Sequence, residues 1–145
     1  MRIIFFILFT ITNFLLIFKV NPRFKPKVNA ISYGISFIVV PILMLSSAYL
    51  LKILRVVMNK QSQQLFIDAF FTLMIIIFLN LFLLLADVMV NGLLNFHEKH
   101  NAENIDKNPI KLALNNKSGI KSFYRVMFFL GSVLGFYGIW LAKKM

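Results

Sequence analysis

Aspartate 87 stands in the stretch "LNLFLLLADVMVNGLLNFHEKH" (residues 79–100), an otherwise apolar run in which Asn80 and Asn91 lie on either side of it. A carboxylate within such a run can bind a proton or a cation, or it can pair with a neighbouring cation. Left alone in hydrocarbon it is costly, so an intramembrane acid marks a functional site by default. At about 100° per residue, positions 80, 87, 91 and 95 fall within roughly 80° of one another, so the four polar side chains form a stripe on one helix face. Asp68 projects about 120° from Asn80 and stands outside that stripe.

Spacing weakens the case for unusual chemistry at Asp87. Nineteen residues separate Asp68 from Asp87, about 28 Å of helix, which is close to the thickness of a hydrocarbon core. The two acids can therefore bracket a bilayer, with Asn80 the deepest polar group. Arg125 opens the last apolar run and is a suitable partner for Asp87. Lys52, Arg55 and Lys60 are near Asp68 in sequence. The leading reading is an interfacial Asp87–Arg125 ion pair, and the alternative is a cation or proton site made of Asn80, Asp87 and Asn91.

Other chemistries are excluded or weak. No cysteine is present, which removes disulfides, thiolate metal sites and thiol nucleophiles. "HEKH" (97–100) spaces its histidines at i and i+3, whereas a zincin needs i and i+4; His97, His100 and Glu103 are read as a solvated polar end, not a metal site. No histidine lies inside an apolar run, so bis-histidine haem ligation within a bilayer is unavailable. Neither a nucleophile–base pair nor a phosphate-binding glycine loop is visible. No catalysis, cofactor or metal is expected. Lipoprotein signal peptidases are of similar size and basicity, but they use two aspartates together, and Asp68 and Asp87 are too far apart on one helix for that. Small multidrug transporters carry an acid in their first helix, where this chain has only Asn13.

The elements that must position these residues are long helices. The chain is 59% hydrophobic over 145 residues with a mean hydropathy of +0.80, well above a soluble domain, and its charges gather between apolar runs. An all-α membrane domain of four transmembrane helices is expected, with spans at about 3–19, 31–54, 65–95 and 123–142. The first run is read as a retained helix, because "KVNPRFKPK" separates its core from any cleavage-like site. Pro22 and Pro26 should end it and keep the first connection extended. "VVMNKQSQQ" is a tight turn. Residues 97–122 form the one long polar loop, with room for a short surface helix between Pro109 and Gly119.

The net charge of +11 would suggest nucleic acid in a soluble chain. With the aromatics inside apolar runs, the cations are better read as contacts to anionic lipid headgroups. Ten Lys and Arg on the side of the first and third loops against six on the other favour both termini outside. In the last helix "GSVLG", extended by Gly138, sets Gly131, Ser132, Gly135 and Gly138 in a small-residue pattern, suited to packing on this chain's own helices or to a homodimer face. Pro41 should kink the second helix, with Ser36 or Ser46 bonding to freed carbonyls. The residue usage suggests a low-GC bacterium. Together these features describe a non-catalytic multi-pass protein of a cell membrane, an accessory or regulatory subunit or an immunity-type protein; a small cation- or proton-coupled transporter or channel is the alternative.

Overall fold

The computed structural model describes residues 1–55, 57–100 and 107–142, and these are mostly helical with no strand. The elements are α1 (Arg2–Leu15), α2 (Pro26–Ile53), α3 (Lys60–His100), α4 (Ile110–Asn115) and α5 (Lys117–Trp140). Four helices are long and apolar enough to cross a membrane: α1 with its extension to Arg23, α2, α3 and α5. Glu103, and Lys143 and Lys144 among the six cations counted on the side of the termini, lie outside the described residues.

The boundaries differ from expectation in the connections. The first link is not extended throughout: α1 passes into a π turn over Leu16–Val20 and a 3-10 turn over Asn21–Arg23, and Phe24 and Lys25 are the extended residues before α2. Pro26 opens α2 because a first-turn proline has no backbone donor to lose. At the other end, α3 continues through "HEKH" to His100, and α5 begins at Lys117, so the long loop expected over 97–122 contracts from both sides. Gly119 sits inside α5 and does not end the short helix; the break falls at Asn116, with φ −104° and ψ 23°.

α3 is central, packing on α2, α5 and α1, while α1 also packs on α5. Its 41 residues amount to about 60 Å, twice a hydrocarbon core. α5 runs antiparallel to it in constant register. Trp140 meets Thr72 and Arg125 meets Asp87, so each helix advances fifteen residues, about 22 Å, between the two contacts. α1 runs parallel to α3, with Arg2 beside Asp68 and Asn13 beside Asn80.

The apolar core is divided. One cluster joins Phe9, Ile76, Phe136, Ile139 and Trp140, with Phe5 and Phe9 stacked on the Trp140 ring at centroid distances of 5.0 and 5.7 Å. Such offset aromatic pairs add about 0.5–1.5 kcal/mol beyond the area they bury. The other joins Tyr33, Ile77 and Leu84 between α2 and α3. Beyond Asn29 and Tyr33, α2 buries no described side chain fully.

Candidate functional site: a buried amide network

The deepest polar groups form one connected chain across all four long helices. Asn13, Asn80 and Ser132 are 0%, 0% and 1% exposed, and Asn21, Asn29 and Tyr33 are also buried. Asn80 Nδ2 donates to Asn13 Oδ1 at 3.0 Å and to the Ile76 carbonyl at 2.8 Å, which uses both of its amide protons. Asn80 Oδ1 accepts from Asn21 Nδ2 at 2.7 Å. Asn13 Nδ2 donates to Ser132 Oγ at 2.7 Å, and that hydroxyl donates onward to the Phe129 carbonyl at 2.6 Å. On the other branch, Tyr33 Oη donates to Asn21 Oδ1 at 2.6 Å and Asn29 Nδ2 to the Asn21 carbonyl at 2.9 Å. Each of these side-chain oxygens and nitrogens has a partner, the condition under which a buried polar network stabilises.

The π turn explains how α1 presents two amides to one residue. Asn13 and Asn21 are eight positions apart, which on a regular helix leaves them about 80° out of line. Bonding to i+5 widens a turn by roughly one residue, so eight positions act as about seven, and seven return to within about 20° of the same face. Both amides then reach Asn80.

Two ionic sites lie toward opposite ends of the bundle. At one, Arg2 Nη2 stands 3.5 Å from Asp68 Oδ2 and Arg2 Nη1 donates to the Ile139 carbonyl at 3.5 Å. Gln64 Nε2 donates to Asp68 Oδ1 at 2.8 Å. Thr72 Oγ1 donates to the Asp68 carbonyl at 2.6 Å and accepts from Trp140 Nε1 at 2.9 Å. Among the described residues Arg2 from α1 is a cation that approaches Asp68, and no described ion pair joins it to Lys52, Arg55 or Lys60, which are nearer in sequence. At the other end, Tyr124 Oη donates to Asp87 Oδ1, and Arg125 Nη2 lies 3.4 Å from Asp87 Oδ2.

The stripe read from α3 is divided by the fold. Asn80 is fully buried and Asp87 is 8% exposed, but Asn91 is half-buried and Asn95 is exposed. Asp68 and Thr72, off that stripe, are buried. The cause is that α3 is covered from three sides, so its buried arc is wider than a single seam. Asn80 turns to α1, Asp87 to α5, and Asn91 belongs to neither site. Gly131, Gly135 and Gly138 face outward: a Cβ added at any of them would meet nothing within 4 Å among the described residues. They do not pack on the described helices of this chain, and Ser132 points the other way, into the network. Of the serines expected to serve Pro41, Ser36 donates to the Ser32 carbonyl, not to the Phe37 carbonyl that Pro41 leaves without its helical donor; Ser47, which was not expected to take part, donates to the Leu43 carbonyl.

Sequence reading missed Asn21, Asn29, Tyr33, Tyr124, Trp140 and Arg2 as participants. Asn21 and Asn29 flank prolines in a basic segment and read as loop. The usable signal was Asn13, a lone amide in the middle of an apolar run, which needs a partner at its own depth. No group of three or more His, Cys, Asp or Glu side chains that could hold a metal occurs among the described residues. Comparison with protein-family models, with curated proteins and with solved structures finds no match to this chain.

Proposed function

We propose that the chain is a multi-pass integral membrane protein of a cell membrane that performs no catalysis and acts through intramembrane helix packing, as an accessory or regulatory subunit or an immunity-type protein. One observation carries this reading. The buried amides that would serve a substrate or ion are engaged with other helices of the same chain, while α2 keeps a largely uncovered apolar face, with Ile38, Leu45 and Tyr49 each above 60% exposed. In water so large an apolar face would be an aggregation hazard; in lipid it is ordinary, and it is also the face a partner helix would cover. The glycines at 131, 135 and 138 offer a second outward surface, one that lets a helix of another copy approach closely. Anionic headgroups would meet the basic ends.

Transport by Asp87 with Asn80 and Asn91 has less support, because these three groups are not gathered at one point and Asp87 is held by Tyr124 and Arg125. The test is twofold. The protein should remain in the membrane fraction through alkaline carbonate washing, and purified protein in proteoliposomes should pass no proton or alkali-cation current. Flux that Asp87→Asn abolishes in a still-folded protein would replace this reading with the transporter.

A further inference from the structure

The α2–α3 pair packs around Tyr33, Ile77 and Leu84, with a separate cavity beside Lys27 and Leu84, and parts again toward the other end, where two cavities lie in succession. The outer, of about 420 Å³, is lined by Met44, Ala48, Lys52, Gln63, Phe66 and Ile67 among others. The inner, of about 150 Å³, shares Met44 and Ile67 with it and continues along Val40, Pro41, Phe70 and Met74. They form one groove running from Lys52 to Val40, twelve residues of α2 or about 18 Å. That is close to half of a hydrocarbon core of about 30 Å, the depth of one leaflet. Lys52 is the charged group at its mouth, and Arg55 and Lys60 flank the same end of α2 and α3. Among the described residues no carboxylate lines the groove: Asp68 faces Arg2 of α1, and Asp87 and Glu98 lie toward the far end of α3.

We infer that this groove seats one acyl chain of an anionic phospholipid, with the headgroup phosphate at Lys52. The inference rests on the membrane placement proposed above. An apolar channel of leaflet depth suits a chain and not a soluble ligand. A cationic mouth without a lining acid selects the charge of the head. Flexible Met44 and Met74 side chains let the walls fit a mobile hydrocarbon.

The test uses the full chain carrying Phe70→Trp, reconstituted in vesicles of phosphatidylcholine or phosphatidylglycerol with brominated acyl chains. Quenching of the new indole is read above the Trp140 background. Brominated phosphatidylglycerol should quench at roughly fivefold lower mole fraction than brominated phosphatidylcholine, the weight of about one interfacial cation. Adding Lys52→Gln, an exposed position whose loss does not threaten the fold, should remove the preference. Lys27→Gln, at the opposite end of α2, should leave it. Equal quenching by the two lipids, or a preference that survives Lys52→Gln, overturns the inference while carbonate-resistant membrane association stands. A chain that carbonate strips from membranes, and that neither lipid quenches, overturns both.

Discussion

Asn80 is the side chain on which the interior depends, because it contacts α1 through Asn13 and the segment after it through Asn21 while belonging to α3. Asn80→Ala would leave Asn13 Oδ1 without a donor and Asn21 Nδ2 without an acceptor. The expected loss is about 1–2 kcal/mol, since orphaned buried groups cost more than hydrogen bonds inside membranes usually contribute. Asn91→Ala, outside the network, should cost under about 0.5 kcal/mol. Reversible unfolding in mixed detergent micelles compares the two, and equal losses would remove the network from the account of stability. Asp87 and Arg125 make a separate case, being partly buried at 11% and 21% side-chain exposure. A double-mutant cycle of Asp87→Asn and Arg125→Gln should show coupling of about 0.5–1 kcal/mol, the double mutant losing less than the two single losses combined. Additivity would mean the pair is geometric only. Asp87 and Arg125 were legible as partners from their placement at the ends of two apolar runs. The amide chain was not, because an asparagine beside a proline looks the same whether it ends in a loop or in a core.

At the scale of the element, the π turn in the extension of α1 decides whether Asn13 and Asn21 share a face. Removing one residue there, for example Lys19, should convert the wide turn to a regular one and keep the two amides within about 20° of alignment. Inserting one alanine between Phe18 and Lys19 should rotate Asn21 by about 100° and break its bond to Asn80. The deletion should therefore retain most of the protein's thermal stability in detergent and the insertion should lose it, and a reversed order would mean that the turn is not what aligns the amides. Hydropathy located the four long helices because apolar runs of this length have few other uses. It placed their ends poorly, since α3 and α5 continue as helices through polar residues at 97–100 and 117–122, where hydropathy carries no signal.

For the whole molecule, the proposed membrane placement makes a prediction about sides. Absence of cysteine lets single cysteines report on topology. Lys25→Cys and Asn115→Cys should react together with an impermeant maleimide in intact cells or should both be silent, and Lys60→Cys should do the opposite. Labelling of all three alike would contradict four crossings. Composition, run length and charge layout determined by themselves that the chain is helical and that four of its helices are apolar enough to span a bilayer, because those properties follow from residue type summed along the chain. Which polar groups meet was decided by tertiary structure. Arg2 and Asp68, Asn13 and Ser132, and Thr72 and Trp140 are 66 or more positions apart. Their pairing depends on the register between helices and on one wide turn in α1, and sequence periodicity within a single helix contains neither.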